Sequence, residues 1–293
     1  MHDEPVDTWL KDVPRRVQRC VEAWSLELDA IAPSSAGFVI HGRLPDGDYV
    51  TLKLVPNSRD FESQRRALTA FDGAATVRLL ADAAADGALL LERALPGYAL
   101  SALVTSDQDE AATEAAAQVI ARMRSAQLCG EQRLELEHIG VEAAESLHRY
   151  RRRYDHGALG PIPGSQIAYA SSLIGELRES EDESVVLHGD FHHDNLLRAD
   201  REPWLAIDPK GRSGEPAAEL ATFIRNPIDH LVRVPNLRAF LHGRIDQLVE
   251  RFGYDRTRVI GWAIGLAIVA ACWQVEDREP ECERWLAVAD ALM

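Results

Sequence analysis

With 293 residues, of which 46% are hydrophobic and 27% charged, the chain is long enough for one large globular domain or two smaller ones sharing a cleft. Its 32 Lys and Arg against 47 Asp and Glu leave a net charge of −15, which argues against nucleic acid and anionic membrane as partners and suits either a cationic partner or plain solubility. The four scattered cysteines, Cys20, Cys129, Cys272 and Cys282, lack CxxC spacing and read as reduced thiols of a cytoplasmic protein.

Residues 1–14 are polar and acidic, unlike a secretory leader. Residues 15–31 are expected to form an amphipathic helix, with Val17, Val21, Trp24 and Leu28 on one face. Pro33 to Gly37 reads as a loop, residues 38–40 as a strand, Pro45-Asp46-Gly47-Asp48 as a hairpin turn and residues 49–55 as the return strand. Alternation puts Val50, Leu52 and Leu54 on the packed face and Lys53 on the other, toward either a cleft or solvent. Residues 58–71 read as a helix with Ser58 as N-cap and Glu62 in its first turns. Strands are expected near residues 76–80 and 88–91, giving a small antiparallel sheet with one helix inserted.

Leu95-Pro96-Gly97 breaks this pattern, so residues 1–93 and 94–293 are expected to form two lobes. Helices are expected at 106–128, 141–155 and 165–180, short strands at 185–187, 196–198 and 204–207, and helices again from Ala217 onward. The apolar run 259–273 is too short to span a bilayer and reads as a buried core helix.

The chemistry concentrates in residues 185–210, VVLHGDFHHDNLLRADREPWLAIDPK. An apolar strand ends in His188-Gly189-Asp190, Asn195 follows five residues after Asp190, and Asp208 ends a later strand thirteen residues after Asn195. Phosphoryl transfer needs a carboxylate beside the acceptor hydroxyl, oxygen ligands for Mg²⁺, and a cation on the nucleotide phosphates. Asp190 fits the base, Asn195 and Asp208 the metal ligands, and Lys53 the phosphate clamp. Glu62 fits an ion-pair partner for Lys53, or an ordinary helix-N-terminal glutamate. His188 reads as a residue that shapes the loop.

These segments resemble the aminoglycoside phosphotransferase family, in its streptomycin and hydroxyurea kinase branch. The likeness rests on His188 to Asn195 (HGDxHxxN), Trp204 to Gly211 (WLAIDPKG), Gly214-Glu215-Pro216 and Arg225-Asn226-Pro227. It implies an α+β, protein-kinase-like fold with a sheet N-lobe, a mostly helical C-lobe, and ATP with Mg²⁺ between them. It also implies an O-phosphotransferase that confers antibiotic resistance, with streptomycin at its 6-hydroxyl as the leading acceptor and hydroxyurea, a metabolite or a non-catalytic role as alternatives. The implied hinge is residues 91–94, with Glu92 and Ala94 on the nucleotide, and the implied phosphate loop is residues 33–41, with Ser34 and Ser35. That loop departs from GxGxxG, having only Gly37 and Gly42. Glu219 departs as well, since the family tends to carry Asp there.

The histidine-rich loop also invites a zinc reading, but no second ligand group at helical spacing accompanies it. His193 and Asp194 are instead expected at the acceptor pocket. The acidic stretch 274–283 reads either as a solvated loop or as a rim for a cationic acceptor, with Glu276 and Asp277 as candidates; Trp273 reads as core.

Overall fold

The computed structural model describes residues 6–33, 37–104, 108–127, 135–154, 160–278 and 281–293. Helix α1 (Val6–Trp24) opens the chain and includes Pro14. Ser25 then takes a left-handed conformation (φ 52°), and the chain turns into strand β1 (Glu27–Ala32). The helix expected at 15–31 is therefore displaced toward the N-terminus, and Leu28 belongs to a strand. An apolar residue four after Trp24 continues the helical period by accident, while the backbone reversal at Ser25 ends it.

Strands β2 (Phe38–Arg43), β3 (Tyr49–Leu54), β4 (Leu79–Ala83) and β5 (Ala88–Glu92) join β1 in a five-stranded antiparallel sheet of order β1-β2-β3-β5-β4. Val50, Leu52 and Leu54 pack under α1 against Trp9, Val13 and Cys20. That burial consumes the expected apolar face of β3 and leaves Lys53 on the opposite side. Helix α2 (Ser58–Phe71) follows β3; its N-cap is Asn57, whose side chain accepts from the Arg59 and Asp60 N–H groups, rather than Ser58.

Strand β4 begins three residues later than expected because the preceding stretch has another partner. Val77 N donates to Ala206 O (3.0 Å) and Ala206 N donates to Ala75 O (2.8 Å), so residues 75–77 join the sheet lobe to a later hairpin. That hairpin is β9 (Leu196–Ala199) and β10 (Trp204–Ala206), flanked by β6 (Pro96–Ala99). A third small sheet holds β7 (Glu137–His138), β8 (Val185–Leu187) and β11 (Arg212–Gly214).

The rest is helical: α3 (Ser101–Val104), α4 (Asp109–Gln127), α5 (Ile139–Tyr154), α6 (Gly164–Glu179), α7 (Pro216–Ile224), α8 (Ile228–Leu231), α9 (Leu237–Phe252), α10 (Arg256–Glu276) and α11 (Cys282–Leu292). α10 is apolar enough over its length to cross a membrane, but it is buried from Gly261 to Cys272 against α5, α6, α7, α9 and α11. It is the axis of the large core. Cys20, Cys272 and Cys282 are free and buried, and Cys129 lies outside the described residues.

One buried cation fixes how these helices meet. Arg244 of α9 is 2% exposed; its Nε and Nη2 grip Asp109 at the start of α4, and its Nη1 donates to the carbonyls of Ile224 and Asn226 at the end of α7. Removing one partner of such a pair strands the other. Arg244→Ala is expected to cost about 3 kcal/mol and to lower Tm by roughly 5 °C in a thermal melt; an unchanged melt would remove Arg244 as the brace.

Candidate active site

Lys53 and Asp208 come from opposite lobes and meet. Lys53 is 2% exposed and its Nζ lies 3.1 Å from Asp208 Oδ1. Asp208 follows β10 in a left-handed conformation (φ 57°), unfavourable for a side-chain-bearing residue and held by its surroundings. Three residues on, Gly211 (φ 66°) abuts α2: a Cβ there would lie 2.2 Å from Ser63 O. Only glycine lets this loop sit against the helix.

Asp190 and Asn195 are joined to Asp208 through His188. The His188 Nε2–H donates to Ile207 O (2.8 Å), and the Asp190 N–H donates to His188 Nδ1 (3.3 Å). One neutral tautomer satisfies both bonds. Burial pushes the His188 pKa down to about 4, which keeps the ring in that form. Asn195 Nδ2 donates to Asp190 O (2.9 Å), and Ile207 N donates to Asn195 O (2.9 Å). Among the described residues, no hydrogen bond engages Asn195 Oδ1.

Burial pushes the Asp190 carboxyl up, but neighbouring positive charge, Lys210 foremost, outweighs it and holds the group below the usual carboxylate value. Lys210 Nζ lies 3.6 Å from Asp190 Oδ2 and 5.6 Å from the centre of the Trp273 ring. Trp273 is half-buried, with its Nε1–H on Ser146 Oγ (3.0 Å), so one face of the ring is open to Lys210 instead of being core on all sides.

A cleft of about 260 Å³ runs from Lys53 and Asp208 to residues 91–97. Val39, Val77, Leu91, Leu197 and Ile207 make its walls, and Ala94 and Glu92 border its far end. Among the described residues, no backbone hydrogen bond engages the Ala94 N–H. Glu92 points its carboxylate elsewhere: it accepts two bonds from Arg201 (2.8 and 2.9 Å) and one from Arg78 N (3.1 Å), so only its backbone is available to a ligand in the cleft. Gly37 (φ 116°) packs against β3, where a Cβ would lie 2.5 Å from Leu54 O and 3.9 Å from Lys53 Cε. Ser34 and Ser35 lie outside the described residues.

Glu62 and His193 need correction, and Asp194, Glu276 and Asp277 lie in surroundings of their own. Glu62 does not pair with Lys53. Its carboxylate takes Arg65 (2.7 Å) and Arg66 (2.8 Å), three and four residues on, and the Arg65 hydrogen bond helps draw its pKa down to about 2. His193 is fully buried and stacked on Phe223 (4.0 Å between centroids), so it faces the core and not an acceptor. Asp194, next to it in a single 3-10 turn, is exposed and accepts from Ser101 Oγ (2.5 Å). Glu276 is taken up by Arg149 (2.9 Å), and Asp277 is the exposed C-cap of α10, so the acidic rim is partly neutralised within the protein. Among the described residues, no group of three or more His, Cys, Asp or Glu is gathered as for a transition metal.

Lys210 and Arg225 went unassigned although both stand in the quoted motif strings. Their signal was the position of a cation two residues after Asp208 and directly after α7, and spacing alone does not reveal that either approaches Asp190.

Glu219 of α7 braces the loop from below. Its Oε2 accepts from His188 N (2.5 Å) and its Oε1 from Gly189 N (3.1 Å). Burial pushes its pKa from 4.5 to about 7, against the pull of the two N–H groups. The folded state thus holds the proton more tightly than the unfolded chain. That contribution to stability is complete below pH 4.5 and is lost as pH rises through 7. The loss is on the order of 3 kcal/mol at most. Melts between pH 5 and pH 8 are expected to show a smaller decline for Glu219→Gln than for the wild type; parallel curves would rule out Glu219 as the titrating group.

The fold has close relatives in shape. Choline kinase LicA from Streptococcus pneumoniae superposes with a TM-score of 0.65 at 10% identity, covering 96% of this chain and 98% of that one. The amicoumacin kinase hAmiN does so at 0.61 and 13% identity, covering 96% and 94%. In sequence, the hydroxyurea phosphotransferase of Kitasatospora aureofaciens is 31% identical over 97% of this chain and 80% of its own length. The streptomycin 6-kinase of Streptomyces griseus is 28% identical over 97% and 90%. Residues 24–278 match the family described as aminoglycoside/hydroxyurea antibiotic resistance kinase. With the fold and the sequence in agreement, the chain belongs to that family, and the fold is the two-lobed, protein-kinase-like α+β architecture.

Proposed function

We propose that this protein is an ATP-dependent O-phosphotransferase that moves the γ-phosphoryl group to a hydroxyl of a small molecule, with streptomycin at its 6-hydroxyl as the first acceptor to examine. The observation that supports the reading most is the meeting of Lys53 with Asp208 beside the loop that carries Asp190 and Asn195. Named relatives that act on streptomycin support the acceptor.

In this reading residues 1–93 form the nucleotide-side lobe and residues 94–293 the acceptor-side lobe. The adenine sits between the apolar walls of the cleft and the backbone of Glu92 and Ala94. Lys53 holds the phosphates, assisted by the loop that contains Ser34 and Ser35. Asp190, kept ionised by its cationic neighbours, orients the acceptor hydroxyl and takes its proton as the phosphoryl group moves in line. The Asp208 carboxylate in the cleft and Asn195 Oδ1 on the neighbouring loop are hard oxygen donors that would hold Mg²⁺, which when bound would offset charge on the nucleotide phosphates. Use of ATP suits a cytoplasmic enzyme, and the family suits a role in antibiotic resistance.

A second reading has its own support. Glu276 is neutralised by Arg149, and Asp190 is flanked by Lys210, so the acceptor side favours an uncharged molecule over a polycation. Hydroxyurea is such a molecule, and one relative acts on it.

ADP release with Mg²⁺-ATP and either streptomycin or hydroxyurea separates the readings. Asp190→Ala is expected to reduce kcat by about 10²- to 10⁴-fold with whichever acceptor is used. Lys53→Ala is expected to raise the KM for ATP and lower kcat. Full turnover by Asp190→Ala would sink the mechanism, and tight ATP binding with no transfer to a broad acceptor panel would point to a non-catalytic homologue.

A further inference from the structure

Arg225, in the Arg225-Asn226-Pro227 string that no role above absorbs, is an anomaly among the buried cations. It follows α7, is 7% exposed, and has one side-chain hydrogen bond, from Nη2 to Thr222 Oγ1 (3.2 Å). Its Nε is buried with no partner. The guanidinium lies 5.1 Å from the centre of the Trp285 ring. The other two buried arginines each hold a carboxylate: Arg212 grips Glu142 at 2.8 Å, and Arg244 grips Asp109. Arg225 has no such ion pair among the described residues.

An unpaired buried charge is costly, and one hydroxyl and one aromatic face return only part of that cost. The charge acting on Arg225 to offset its burial is Asp190, although burial still pulls its pKa down to about 10. The Trp285 ring beneath Arg225 donates its Nε1–H to Gln274 Oε1 (3.2 Å), next to Trp273, whose ring centre lies 5.6 Å from Lys210 Nζ, itself 3.6 Å from Asp190, so a line of contacts along α10 and α11 leads from Arg225 to the surroundings of the proposed base. Lys53 belongs to the sheet lobe, on the nucleotide side. Among the described residues the Arg225 Nε–H has no acceptor, and its one side-chain hydrogen bond is that of Nη2 to Thr222 Oγ1.

We infer that Arg225 is an acceptor-binding residue that takes a carbonyl or carboxylate oxygen carried by the acceptor close to its reacting hydroxyl. The inference rests on the phosphotransferase reading above and deepens it by naming the class of acceptor. A planar fork of donors matches a carboxylate or carbonyl edge, and burial strengthens each bond. Lys210, 3.6 Å from Asp190, adds a second cation to the same surroundings.

Calorimetry with the full-length protein saturated with AMP-PNP and Mg²⁺ tests this with two probes: hydroxyurea, whose carbonyl lies beside its N-hydroxyl, and glycolate, whose carboxylate lies beside its hydroxyl. At least one is expected to bind wild type, and Arg225→Met is expected to weaken it by about tenfold or more; which probe binds distinguishes a carbonyl from a carboxylate ligand. Arg225→Lys is expected to recover part of the loss. The ligand-free Tm of Arg225→Met is expected to be unchanged or higher, because an unpaired buried charge has gone. Equal binding by Arg225→Met, binding of neither probe to wild type, or a clear fall in Tm assigns Arg225 a structural role and overturns the inference. Absence of phosphoryl transfer to any acceptor, with probe binding still dependent on Arg225, would instead locate the failure in the phosphotransferase reading.

Discussion

A lysine ammonium buried to 2% exposure cannot stand alone, and the partner that satisfies Lys53 lies on a different lobe. That single requirement organises the cleft. β3 must be flat and packed under α1 so that Lys53 projects from the other face. Asp208 must adopt a left-handed backbone to bring its carboxylate within 3.1 Å. Gly211 must then pass close to Ser63, which ties the loop to α2. The backbone exchange among Ala75, Val77 and Ala206 supplies the remaining fixed point between the lobes, so the ion pair is held by covalent neighbours on both sides and not by side-chain attraction alone.

Some of this was legible in sequence and some was not, and the difference is physical. Period-two alternation in residues 49–55 placed Lys53 opposite the packed face, because a strand leaves no other choice. His188, Asp190, Asn195 and Asp208 stand on a short loop and a two-stranded hairpin, which allow few geometries, and the bonds of His188 and Asn195 join the two. Glu62 was misleading because two arginines at helical spacing compete for it locally, and sequence does not rank them against a lysine on a neighbouring strand. His193 looked functional by proximity to Asp190, yet a 3-10 turn sends adjacent side chains in opposite directions, one onto Phe223 and one to solvent. Edge strand β1 and the pairing of residues 75–77 with β10 depend on long-range partners that local periodicity does not contain.

The net charge of −15 gives a poor guide to the acceptor. Several buried or half-buried carboxylates serve the protein itself. Glu142 holds Arg212, Glu92 holds Arg201, and Glu219 holds the backbone beneath His188. Glu276, the leading rim residue, is bound to Arg149. What stands next to Asp190 is cationic, so the sign of the surface and the sign of the site differ.

The motif strings that identify the family are largely architectural. Glu215 of Gly214-Glu215-Pro216 accepts from Arg258 (2.6 Å) and from Trp262 Nε1 (2.7 Å), fastening the start of α7 to α10. His188 joins two loops, and Gly211 lets one of them reach α2. Residues of this kind hold the scaffold together whatever molecule is bound. The acceptor has to be read from side chains whose own interactions are incomplete. An arginine buried after α7 without a carboxylate, held by Thr222 and the Trp285 ring, is such a side chain: the fold recovers only part of its desolvation cost, which makes it a better indicator of the bound molecule than an acidic surface already matched by arginines.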